Sequence, residues 1–218
     1  MILYDYILSA SCYKVRLLAA LLGIKLDLVA VDFHPGRAHK SAAFRDLNPA
    51  GSIPVLVDGD LVLTESTAML VYLAQIAGPQ WLGEASPQSA ARVQNWLAFS
   101  GRLNSSLGLA RLHDMLHFPA DITACRTAGH LCLRELEAHL TQVRLEGRIF
   151  LEGTAPSIAD IACFPNVALA PDGGVELRDY PSVRLWQRAV RSLPQFIEMP
   201  GIHRLHDLKP APHSGAAA

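Results

Sequence analysis

Apolar positions recur along this chain with two different periods, and the change between them divides it. Ile2-Leu3-Tyr4-Asp5-Tyr6-Ile7 is a short run rich in β-formers and predicts a first strand. From Cys12 the spacing turns helical: Val15, Leu18, Ala19 and Leu22 mark one face, and Gly23 is the stop. Ser9-Ala10-Ser11 is the intervening loop, with Ser11 the better N-cap on spacing. Leu26 to Phe33 predicts strand two, His34-Pro35-Gly36 a loop, and Ser41 to Leu47 a short helix. Val55-Leu56-Val57 and Leu61-Val62-Leu63 then read as paired strands around an Asp58-Gly59 hairpin turn. Glu65-Ser66 opens a helical pattern that ends at Gly78-Pro79. The order is β-α-β-α-β-β-α.

Beyond that point every long segment is helical. Gln88 to Leu116 carries Val93, Trp96, Leu97, Leu103, Leu107 and Leu112, and Phe118-Pro119 closes it. Asp121 to Leu145 follows, with Leu131, Leu133, Leu136 and Leu140. Ser157-Ile158-Ala159-Asp160 reads as a capping-box variant at another helix start, and Pro181 to Leu193 predicts a further helix. The expected organisation is an α/β domain over 1–79, a linker over 80–87, an all-α domain over 88–208 and a disordered tail over 209–218.

Composition narrows the function classes. Half of the 218 residues are hydrophobic and the net charge is −1, which argues against a nucleic-acid footprint. No apolar run reaches the roughly 18 residues a membrane span needs. The start, Met1-Ile2-Leu3-Tyr4-Asp5, has no basic leader region. Cys12, Cys125, Cys132 and Cys163 form no CxxC pair and read as reduced thiols. A cytoplasmic location is expected. His113 and His117 stand four apart, but no HExxH glutamate or third ligand accompanies them, so no metal is expected.

Pro54 is the odd residue. It cannot donate to a ladder, so it belongs at a strand's start or on an edge. An edge strand there leaves the Ile53 N–H and C=O for an extended peptide, the β-augmentation mode. Glu65-Ser66, at a helix N-terminus, adds N–H groups that attract a carboxylate.

The order N-P-x-x-x-I-P-x-L, a hairpin and then E-S at a helix start (Asn48 to Ser66) resembles the glutathione-binding half of the cytosolic glutathione transferases. The x-S-I-A-D-I motif at Ser157 resembles a helix start in that family's second domain, so the likeness spans roughly residues 2 to 205. It implies a thioredoxin-like first domain followed by the helical one. It implies that Pro54 is cis, that Ile53 pairs with the cysteinyl backbone of glutathione, and that Glu65 and Ser66 hold its γ-glutamyl end. His39 and Lys40 lie where the family often supplies a cation for the glycyl carboxylate, and Ser52 matches a polar residue that often supports that same end. The pattern is nearest to the serine-type zeta and delta classes. The loop L-S-A-S-C-Y departs from the S-S-C-x of zeta, so zeta's isomerase reaction is not inherited.

Such an enzyme must hold a thiol of pKa about 8.5 as thiolate. A helix N-terminus contributes about 0.3–1 kcal/mol and a hydrogen bond to a charged acceptor about 1.5–3 kcal/mol. Together they lower the thiol by about 1.5 to 3 units, so one hydroxyl suffices. Ser9, Ser11 and Cys12 compete for that post. By the resemblance Ser9 stands where the serine-type classes have their catalytic serine, since the gap from Tyr4 or Tyr6 to Val15-Arg16 is that of zeta enzymes; Ser11 sits nearer the helix, and Cys12 would make a disulfide-forming site. Leu107, Arg111 and Leu112 are candidates for the electrophile pocket. The resemblance thus implies a homodimer that adds glutathione, as co-substrate, to a small hydrophobic electrophile. The alternatives are a glutathione-dependent isomerase or disulfide reductase, and a non-catalytic glutathione- or partner-binding protein of this fold.

Overall fold

The computed structural model describes residues 1–205, and the expected tail over 209–218 lies outside them. The first part holds β1 (Ile2–Asp5), α1 (Ala10–Leu21), β2 (Asp27–Ala30), α2 (Ala42–Leu47), β3 (Val55–Asp58), β4 (Leu61–Leu63) and α3 (Ser66–Ala77). The strands lie in the order β2-β1-β3-β4, with β1 parallel to β2 and antiparallel to β3. The two strands nearest the N-terminus are shorter than their apolar runs: pairing stops at Asp5 and Ala30, where Val31 N–H closes onto Asp5 O.

Two expectations are corrected here. β3 is an interior strand, because β1 and β4 flank it. Ile53 is unpaired because the ladder starts only at Val55, opposite Tyr4, and not because β3 is an edge. The hairpin loop is Gly59-Asp60, one residue later than expected, since Asp58 already pairs with Leu61. Gly59 has φ +57°, the backbone state a first loop position in a tight hairpin demands and glycine adopts freely.

The helical part comprises α4 (Pro87–Leu103), a π-helical turn (Asn104–Gly108), α5 (Leu109–Leu116), α6 (Ile122–Leu145), α7 (Ile158–Ala168) and α8 (Pro181–Arg191). The sequence pattern read α4 to α5 as one helix; the π turn explains why its apolar phase drifts. α1 and α7 are buried nearly all round and form the centre of one hydrophobic cluster that joins the two parts. The capping box is present: Ser157 Oγ accepts from Ala159 N at 3.2 Å and Asp160 Oδ2 accepts from Ser157 N at 2.9 Å. Asp160 Oδ1 also accepts from Leu151 N at 2.9 Å and Trp186 Nε1 at 2.8 Å, so one fully buried carboxylate ties α7 to α8 and to the segment before it.

Candidate active site

Two cavities meet at the start of α1. A groove of about 370 Å³ is lined by Ser52, Ile53 and Pro54 before β3, by Glu65 and Ser66 at the start of α3, and by Lys14 of α1. Beside it a cavity of about 150 Å³ is lined by Tyr6, Leu8, Ser9 and Phe33 from the first part and by Arg111, Leu112, Leu116 and Asn166 from the second. Ser11, Ile53 and Asn104 line both. The structure therefore brings together five of the residues that the Asn48–Ser66 stretch suggested.

Local sequence explains the groove's shape. The Asn48 side chain accepts from Ala50 N at 3.1 Å and donates to Ser52 O at 2.8 Å and Ser52 Oγ at 3.0 Å. Asn48 is buried, so this turn holds the chain rigidly up to Ile53. The Ile53–Pro54 bond is cis. The Ile53 N–H and C=O make no hydrogen bond among the described residues. Glu65 takes the N-cap position of α3 without a side-chain cap, which leaves the first-turn N–H groups of that helix open to the groove.

Ser9, not Ser11, is the N-cap of α1; its Oγ accepts from Cys12 N at 3.2 Å. The same hydroxyl lies within hydrogen-bond reach of the Cys12 thiol, and Ser9 lines the smaller cavity. Ser11 lies within the first helical turn, lines both cavities and caps nothing. Cys12 lines neither cavity. It is 0% exposed, and burial pushes its thiol up to about 12. That is the reverse of what a thiolate nucleophile requires.

The loop carrying Ser9 is anchored from both sides. Arg16 donates to Ile7 O at 3.4 Å and pairs with the buried Asp5 at 3.1 Å. Arg111, 5% exposed, donates from Nη1 to Leu8 O at 2.6 Å and from Nε to Asp172 Oδ2 at 3.0 Å. Leu112 joins Arg111 in the cavity wall, whereas Leu107 is turned into the core, where its side chain fills the space beside Gly129 of α6. The π turn shifts the helical phase between them, which is what the sequence period could not set.

The other suggested cations are not in the groove's lining. Lys40 is exposed and donates to Ala50 O at 3.2 Å and Gly51 O at 2.6 Å. His39 is buried and stacks on Phe33, centroids 4.2 Å apart; burial, then the charges of Lys40 and Arg37, lowers its pKa. Phe33 stacks in turn on Phe118 beyond α5, at 5.7 Å. His113 Nδ1 contacts Asp114 at 2.9 Å and His117 ends α5 in a left-handed conformation. Among the described residues no three His, Cys, Asp or Glu side chains are grouped to hold a metal ion.

Sequence reasoning passed over Lys14, Asn104 and Asn166. For Lys14 a signal existed: a lysine set inside the apolar run Tyr13 to Ala19 and three residues after Ser11, hence on its face of the helix. Asn104 and Asn166 come from segments far apart in the chain and carried none.

Comparison with known proteins identifies the family. Residues 1–75 match the family profile described as glutathione S-transferase, N-terminal domain. A protein of Anopheles gambiae named glutathione S-transferase 2 is 33% identical over 82% of this chain and 84% of its own. The disulfide-bond oxidoreductase YfcG of Escherichia coli strain K12 is 30% identical over 84% of this chain and 86% of its own. A crystal structure of a glutathione S-transferase from Xanthobacter autotrophicus Py2 superposes with a TM-score of 0.80 at 30% identity, over 92% of this chain and 97% of that one. The chain belongs to the glutathione S-transferase family. No helix among the described residues is long and apolar enough to cross a membrane.

Proposed function

We propose that this protein binds glutathione in the groove and adds its thiolate to a small, largely apolar electrophile in the adjoining cavity. The observation that carries this reading is the junction: Ile53, with an unused backbone pair, lines both spaces, and Ser9 stands at the floor of the second. A peptide paired with Ile53 places its central residue at that junction. In this reading Glu65 takes the γ-glutamyl ammonium, the α3 N-terminus and Ser66 take its carboxylate, and Ser52 supports the glycyl end. Ser9 donates to the sulfur with the α1 N-terminus behind it. Serine acts here as a hydrogen-bond donor and not as a base. Tyr6, Phe33, Leu112 and Leu116 supply the apolar surface that excludes water from the electrophile.

One relative favours a second reaction at the same site, reduction of a disulfide by glutathione. Since Cys12 is buried and held protonated, the attacking sulfur would be that of glutathione and not of the chain. All four cysteines are free and buried, in keeping with a reduced, cytoplasmic protein. Activity with a chlorinated nitrobenzene, measured beside activity with a small disulfide, decides between the two reactions. A thermal melt unmoved by millimolar glutathione, with neither activity present, would remove both and leave a binding protein of this fold.

A further inference from the structure

Lys14 is the one lysine of α1, and it is 2% exposed in a helix packed on all sides. A buried ammonium ordinarily has a carboxylate against it. Lys14 has no salt bridge or hydrogen bond of its own among the described residues. It nonetheless lines the groove, alongside Glu65, Ser66 and the open first turn of α3. The site thus holds a cation with no ion-paired or hydrogen-bonded partner among the described residues, beside helix N–H groups that themselves favour an anion.

We propose that Lys14 is the cationic half of a carboxylate subsite that takes the α-carboxylate of the γ-glutamyl end of the ligand. This rests on the glutathione reading above and assigns Lys14 as a binding residue in addition to Glu65 and Ser66. The chemistry recognised is that of an α-amino acid. Glu65 faces the ammonium, while Lys14 and the α3 N-terminus face the carboxylate. A ligand that keeps the ammonium and lacks the carboxylate forfeits the second half.

A linked proton follows. The charged or titratable groups that act on Lys14 are Glu65 from the start of α3, Cys12 on its own helix and Cys163 on α7. Burial outweighs them and lowers the Lys14 pKa to about 8 in the ligand-free protein. A carboxylate placed beside the ammonium favours its charged form. Binding near pH 8 therefore takes up a proton at Lys14.

The test uses S-methylglutathione, whose blocked sulfur cannot titrate, and the matching peptide with 4-aminobutanoyl in place of γ-glutamyl. The parent protein is expected to prefer S-methylglutathione. Lys14→Met and Lys14→Gln are expected to shrink that preference by at least tenfold, mainly by weakening S-methylglutathione. Calorimetry at pH 8 in two buffers of different ionisation enthalpy should show proton uptake by the parent in excess of either variant. Thermal melts establish that the variants are folded. If both folded variants keep the parent's preference, or if proton uptake is the same in all three proteins, the assignment of Lys14 is wrong while glutathione binding stands. If the parent binds S-methylglutathione no better than buffer, the glutathione reading falls and this subsite falls with it.

Discussion

A single hydroxyl, that of Ser9, has two duties in the proposed reading: its oxygen caps α1 and its proton is donated to the bound sulfur. Ser9→Ala removes both, and the two losses can be read separately. The cap accounts for about 0.5–2 kcal/mol of stability, seen as a lower melting temperature without ligand. The charge-assisted hydrogen bond accounts for about 1.5–3 kcal/mol, or about one to two units in the pKa of bound thiol. Thiolate absorbance against pH measures the second. Ser11→Ala should leave melting nearly unchanged, because Ser11 is not the cap; if it moves the titration curve and Ser9→Ala does not, the donor is Ser11. Lys14 gives a different pH dependence. Its folded pKa of about 8 lies below the 10.5 of a free lysine, so between these values the unfolded chain binds more protons. Stability of the ligand-free protein should therefore rise with pH from about 8 toward 10.5, by about 3 kcal/mol from this group. Denaturant unfolding at pH 7.5 and 10 should show that rise in the parent and lose it in Lys14→Met.

Elements, rather than single side chains, hold the reacting loop in place. Arg111 of α5 reaches 103 positions back along the chain to Leu8 O, beside Ser9, and is itself held by Asp172. Arg111→Met should cost about 1.5–3 kcal/mol for each charged hydrogen bond lost and should lower kcat more than it raises the KM for glutathione. The check is a steady-state series at saturating electrophile together with a melt. Ser157→Ala should cost about 0.5–2 kcal/mol by weakening the α7 cap, with activity per folded molecule unchanged. A sharp fall in that specific activity would mean α7 shapes the site beyond packing. The contrast shows what was legible in the sequence. The groove was, because its residues lie within Asn48–Ser66 and each owes its place to a short-range cause: a turn, a proline or a helix start. The cap box at Ser157 was legible for the same reason. The cavity wall was not. Leu107 and Arg111 stand four apart and read as one face, but the π turn ending at Gly108 turns Leu107 into the core. Asn166 enters the wall only because α7 packs against α4 and α1, a tertiary fact with no local signature.

At the scale of the whole molecule the open question is what covers the outer side of α3 and β4. The apolar positions of α3 pointed to a helix buried on more than one side, and the chain itself accounts for most of them. Met69, Leu70 and Leu73 are in the core, and the Tyr72 hydroxyl donates to Asp58 Oδ2 at 2.6 Å. Ile76 remains 48% exposed, and on β4, an edge strand, Leu61 and Val62 are 39% and 41% exposed. An unpaired edge with apolar side chains is a feature that proteins ordinarily cover or charge. We propose that a second copy covers this surface, the first domain of one copy meeting the second of the other, as the family resemblance read from the sequence implies. The expected mass in solution at micromolar concentration is therefore twice the 23.7 kDa of the chain. Ile76→Glu would place a carboxylate in that interface, where burial of an unpaired charge is strongly unfavourable. It should yield a monomer by light scattering, whereas Leu28→Glu on the opposite edge strand, at 53% exposure, should leave the mass unchanged. A parent protein of single-chain mass would refute the dimer outright. A parent dimer that Ile76→Glu fails to dissociate and Leu28→Glu does would move the interface from the β4 edge to the β2 edge.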